Sequence, residues 1–163
     1  MADDKPGFGD APSFISDVQM DYGLSPDKQA FTITFGNFVA KLVPSGPPVV
    51  SRRFSLVLPL KNVAAGASLT GGLQGGGVMQ PGTGAMLIFR ASGLSQVFDP
   101  LFDSPNATSF TKPITLAVPE KGDLRITIDL TVEGSATDPN AEADITVTAL
   151  DLSIGPPQAP IHE

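Results

Sequence analysis

The sequence predicts an all-β protein, an antiparallel two-sheet β-sandwich of jelly-roll or immunoglobulin-like type with about eight strands. Short runs alternate apolar and polar residues with a period of two, the signature of strands buried on one face. Clusters of turn-forming residues separate these runs, and nowhere does a helical period persist for about ten residues.

The elements follow in chain order. Phe14 to Tyr22 places Val18, Met20 and Tyr22 on one side of a strand. Phe31-Thr32-Ile33-Thr34-Phe35 is a clean alternating run, and Phe54 to Leu60 is another. Within the latter, Pro59 has no N–H to donate to a ladder and so marks a sheet edge or bulge. Ala67 to Leu73 reads as a further strand, and Ala85 to Ala91, almost wholly apolar, as a central one. Ser95 to Phe98 is read as a single helical turn, and Ser109 to Val118 as a strand despite Pro113.

Leu124 to Val132 alternates without a break and is the clearest strand in the protein. Ala143 to Ala149 carries its apolar residues on odd positions, whereas Leu150, Leu152 and Ile154 carry them on even ones. That one-residue change of phase predicts a β-bulge near Ala149-Leu150. Turns are expected at residues 23–28, 44–48, 119–123 and 133–142, where Gly, Pro, Ser, Asn and Asp gather. Residues 1–12 are expected to form a flexible N-terminal arm, 13–154 the sandwich, and 155–163 a Pro-rich C-terminal tail.

Composition narrows the chemistry. With no Cys, neither a disulfide framework nor a thiolate site is available, and the lone His162 provides no His cluster. The net charge of −7 argues against nucleic acid and anionic membranes as partners, since the densest basic feature is Arg52-Arg53. No apolar run is long enough to span a membrane. Residues 1–6 lack the apolar stretch of a secretory signal, which fits a cytoplasmic protein or the mature part of an exported one. Asn106-Ala107-Thr108 is a glycosylation sequon only along a eukaryotic secretory route.

Two segments stand out as candidate sites. The tract from Gly71 to Gly84 reads as a long flexible connection between strands, and as a recognition loop if it is functional. Its candidate binding residues are Gly71, Gly72, Gln74, Gly75, Gly76, Gly77 and Gln80. It lacks the Lys and the following helix that a phosphate-binding loop requires.

The second segment gathers Glu133, Asp138, Asn140, Glu142 and Asp144, five oxygen-bearing side chains of the kind that ligate Ca²⁺. Their spacing is not that of an EF-hand, and Pro139 interrupts them, so a solvated acidic turn is the plainer reading. Asp99 and Asp103, with Asp138, are the only carboxylates that suggest a hydrolase, and no Trp is present to line a sugar cleft. The Phe residues, including Phe31, Phe35 and Phe54, fall mainly on apolar strand faces and read as core.

Residues 25–40, 51–58 and 147–151 together resemble a family of small secreted β-rich domains of unknown function from bacteria and fungi. Members pair a Phe-Thr-hydrophobic-x-Phe strand, after a Ser-Pro-Asp turn, with a Ser-Arg-Lys-x-Cys strand. Here the turn is Ser25-Pro26-Asp27 and the strands are Phe31 to Phe35 and Ser51 to Ser55. Arg53 replaces the family's Lys and Ser55 its Cys, so the family's disulfide is absent. The resemblance implies an exported sandwich and carries over no activity.

The functional expectation is therefore a non-enzymatic binding or interaction module, with no cofactor unless Ca²⁺ binds the acidic turn. Its partner would be a protein or a glycan. The alternatives are a structural subunit of a surface, filament or viral assembly, joined through sheet edges or the N-terminal arm, and a carboxylate-dependent hydrolase.

Overall fold

The computed structural model describes residues 7–9, 13–14, 18–26, 29–61, 67–91, 94–102, 108–117, 123–134 and 141–157. Its strands are β1 (Gly7–Phe8), β2 (Ser13–Phe14), β3 (Met20–Leu24), β4 (Ala30–Phe35), β5 (Val39–Leu42), β6 (Val49–Leu58) and β7 (Leu60–Lys61). They continue as β8 (Ala67–Met79), β9 (Gly84–Ala91), β10 (Leu94–Phe98), β11 (Ser109–Ala117), β12 (Leu124–Glu133) and β13 (Ala143–Pro157). Every strand pairing is antiparallel. Among the described residues, no helix is long and apolar enough to cross a membrane.

Alternation sorts these strands into two layers. One sheet has the order β10-β9-β12-β6-β2, and the other runs β11-β8-β13-β4-β3 with β5 also on β13. A two-stranded piece, β1-β7, pairs with neither sheet. Leu56, Phe89 and Ile128 of the five-stranded sheet join Ile33, Leu73 and Leu150 of the six-stranded one in a single buried cluster. Phe54 sits at its aromatic centre, with ring centroids 4.9 Å from Phe35, 6.1 Å from Phe14 and 6.3 Å from Phe38. Burial of Phe31, Phe35 and Phe54 agrees with their reading as core.

The sandwich class stands, but the chain is cut into more pieces than expected. Phe14 to Tyr22 is not one strand: β2 joins the five-stranded sheet and β3 the six-stranded one. Pro59 separates β6 from β7, and its carbonyl accepts the Gly9 N–H at 2.6 Å. β4 and β5 lie end to end along β13, interrupted at Gly36-Asn37-Phe38, where the Phe38 carbonyl accepts the Val147 N–H at 2.9 Å.

Opposite that interruption, β13 carries its bulge. The register against β8 slips between Val147 and Ala149, so the extra residue is Thr148, next to the predicted pair. The Thr148 hydroxyl donates to the Gln74 carbonyl at 3.0 Å, which gives the bulged residue a partner.

Three expectations need correction. Ser95 to Phe98 is not a helical turn but part of β10, whose five residues pair with Leu87 to Ala91 of β9. Residues 1–12 are not a free arm throughout, because β1 is docked and Phe8 is fully buried, 5.7 Å from the Phe31 ring. A buried Phe removes apolar surface from water, and this anchors the segment. At the other end β13 continues to Pro157, which pairs with Ala67 after a second register shift, so residues 155–157 belong to the sheet.

Candidate functional site

The Gly71 to Gly77 segment is not a loop. It forms the middle of β8, between β11 and β13, and the connection to β9 shrinks to the turn at residues 80–83. Close packing of backbones explains the glycines. A Cβ on Gly71 would overlap the Asp151 carbonyl oxygen, one on Gly75 the Thr146 carbonyl and the Phe110 ring, and one on Gly77 the Asp144 carbonyl. Low strand propensity is overridden because only Gly lets these strands approach so closely.

The other residues of the tract divide by face. Gly72 and Gly76 lie on the outward register of β8 with Gln74, which is exposed. Gln80 closes the end of the ladder: its N–H donates to the Glu142 carbonyl at 3.0 Å, and its side-chain oxygen accepts the Glu142 N–H at 2.8 Å.

Among the described residues, the acidic donors fall in two places. Glu133 ends β12 opposite Val49 and Gly84, whereas Glu142 and Asp144 border an open groove of about 270 Å³ with Lys41, Val78 and Gln80. Asp138, Asn140 and Asp103 lie outside the described residues, and Asp99 is exposed just beyond β10. Among the described residues, no three His, Cys, Asp or Glu side chains gather as a metal would require.

A different constellation occupies the outer face of the five-stranded sheet. Alternation turns Arg53 of β6, Asp129 of β12 and Arg90 of β9 outward, and the register sets Asp129 beside Arg53 and Thr127 beside Arg90. Arg53 Nε donates to Asp129 Oδ1 at 2.6 Å, and its Nη2 reaches Oδ2 at 3.4 Å. Arg90 Nη1 also donates to Asp129 Oδ2. The Asp129 side chain is only 15% exposed, against 67% for Arg53 and 46% for Arg90. One sheltered carboxylate therefore holds two projecting guanidiniums.

Hydroxyl pairs flank this trio across the same strands: Ser51 with Thr131 at 3.2 Å and Ser55 with Thr127 at 3.3 Å. Ser51, Arg52, Arg53, Ile88, Asp129 and Thr131 line an open groove of about 380 Å³. The hydrogen bond to Asp129, and then the attraction between the opposite charges, raise the Arg53 guanidinium above its ordinary pKa. It stays cationic at any physiological pH.

All four Arg of the chain lie on this sheet: Arg52, Arg53, Arg90 and Arg125. Arg52 points away from Arg53 and reaches the Asn37 carbonyl at 3.5 Å, so the apparent Arg52-Arg53 cluster is split between two faces. The local signal for the trio was present, since Arg53 and Asp129 occupy polar positions of alternating runs. Their meeting depends on cross-strand register over 76 residues of sequence, which local pattern does not encode.

No protein-family model matches the chain, and no curated protein is significantly similar to it. Among solved structures, a bacteriophage CBA120 tailspike protein 4 enzymatically active domain is similar with 13% identity and a TM-score of 0.37. The alignment covers 88% of this chain and 19% of that one. An exo-beta-1,3-galactanase from Phanerochaete chrysosporium, with galactose, has 14% identity and a TM-score of 0.32, over 91% of this chain and 29% of its own. The chain thus spans less than a third of either protein. At these scores the fold description rests on the strand pairing above.

Proposed function

We propose that the chain is a non-enzymatic interaction module that recognises carboxylate groups through the outer face of its five-stranded sheet. The observation that carries this reading is the Arg53-Asp129-Arg90 trio, in which a sheltered anion orients two exposed guanidiniums. A guanidinium presents its donors in a rigid planar fork whose geometry matches a carboxylate. The anchoring matters because side chains already ordered lose less entropy on binding. Ser51 and Thr131 add hydroxyls beside the same groove.

Three of the four Arg, Arg53, Arg90 and Arg125, occupy outward positions on this face, although the chain as a whole carries −7. The partner meets a local charge opposite in sign to the protein's net charge. The test is calorimetric titration of the full chain with a polyglutamate peptide at ~0.1 M and ~1 M salt, where the screening length falls from about 10 Å to about 3 Å. The wild type should bind, more weakly at high salt, and the double variant Arg53→Ala/Arg90→Ala should bind about tenfold or more weakly. Wild-type protein that does not bind, or a variant that binds equally well, overturns the proposal.

A further inference from the structure

The six-stranded sheet ends at β3, and among the described residues no strand pairs with its outer edge. Two backbone bonds fix which groups face that edge. The Gln19 carbonyl accepts the Gly36 N–H at 2.7 Å, and the Ala30 carbonyl accepts the Ser25 N–H at 3.0 Å. Odd-numbered residues of β3 therefore bond to β4, and Met20, Tyr22 and Leu24 direct their N–H and C=O groups outward.

The side chains alternate in step. Met20, Tyr22 and Leu24 stand opposite the buried Phe35, Ile33 and Phe31, so they lie on the apolar face of the sheet. Met20 and Leu24 pack against the core, whereas the Tyr22 ring, 5.3 Å from Phe14 and 5.7 Å from Phe31, stays 45% exposed. Asp21 and Gly23 lie on the solvent face, and a Cβ on Gly23 would meet nothing within 4 Å.

We infer that two copies of the chain join β3 to β3 in an antiparallel register centred on Tyr22, which continues the six-stranded sheet across a dimer. This register sets Tyr22 opposite Tyr22 and Met20 opposite Leu24, and each pair exchanges both N–H···O bonds. Its solvent face matches as well, because Asp21 of each copy falls opposite Gly23 of the other, where there is room for it. A slip by two residues one way puts Asp21 directly opposite Asp21, which like charges disfavour. A slip the other way leaves Met20 and Asp21 beyond the paired segment. The contact uses the same surface twice, so it is isologous and closes at two copies. Arg53 and Arg90 belong to the other sheet, so the inference stands or falls independently of the carboxylate-binding reading.

Sedimentation velocity and amide hydrogen exchange on the full chain, from micromolar to millimolar concentration, test the inference. Wild type should pass from monomer to dimer and no further. Because copies carrying −7 repel one another, ~1 M salt should strengthen the dimer. Exchange at Met20, Tyr22 and Leu24 should slow as concentration rises, while exchange at Asp21 and Gly23, already bonded to β4, should change little.

Gly23→Asp puts a carboxylate opposite each Asp21 and should weaken the dimer about fivefold, whereas Gly23→Lys puts an ammonium there and should tighten it by a similar factor. Melting at low concentration checks that both variants fold. If either does not, the exchange pattern of the wild type decides. A wild type that is monomeric throughout, a dimer whose strength neither substitution changes, or protection that arises at residues other than Met20, Tyr22 and Leu24 overturns the inference.

Discussion

The side chain of Gln96 on β10 accepts the backbone N–H of Thr115 on β11, 2.8 Å away, and so ties the edge of one sheet to the edge of the other. Its amide nitrogen also reaches the Pro113 carbonyl at 3.5 Å. An edge strand exposes N–H and C=O groups that invite another chain, and here one side chain occupies them.

Replacing Gln96 with Ala should therefore loosen this edge. The expected cost is about 0.5–1.5 kcal/mol, the net worth of a typical hydrogen bond. In a domain of this size that lowers the melting temperature by roughly 2–4 °C per kcal/mol. Amide hydrogen exchange at Thr115 should accelerate, and unchanged protection there would contradict the assignment.

The glycines of β8 give a contrast between neighbours. Gly71→Ala drives a methyl group into the Asp151 carbonyl, whereas Gly72→Ala meets nothing closer than the Lys112 carbonyl at 3.4 Å. The first should cost about 2 kcal/mol or more, as overpacking against backbone does. The second should lie within about 1 kcal/mol of wild type, because the lower entropy of the unfolded chain offsets a small strain. Urea denaturation of both variants decides it, and equal midpoints would mean that the tract is looser than the strand pairing described above.

Calcium should leave stability unchanged. Glu133, Glu142 and Asp144 do not gather as ligands, and Glu142 is tied to Gln80 through its backbone. Melting temperatures with calcium and with chelator should coincide. A rise with calcium would point to a site built with Asp138 and Asn140.

Most strands were legible because burial on one face imprints a period of two, as in Leu124 to Val132 and Phe31 to Phe35. The bulge at Thr148 was legible to within a residue for the same reason, since an extra residue shifts the phase of every side chain after it. Gly71 to Gly77 misled because strand propensity reports on side-chain packing, while here backbone approach governs. Phe8 was hidden among the polar residues of the N-terminal segment, although a lone Phe is enough to dock it. The candidate site was the least legible part. Arg53, Arg90 and Asp129 belong to three strands whose register is fixed only when the sheet closes.

The most direct measurement is a map of backbone amide shifts by nuclear magnetic resonance as a polyglutamate peptide is added to the full chain. The account predicts changes concentrated at the outward positions of β6, β12 and β9, above all Arg53, Arg90, Thr127 and Asp129. Changes centred instead on Gln74 and the glycines of β8 or on the segment from Glu133 to Asp144, or no change at any residue, would contradict it.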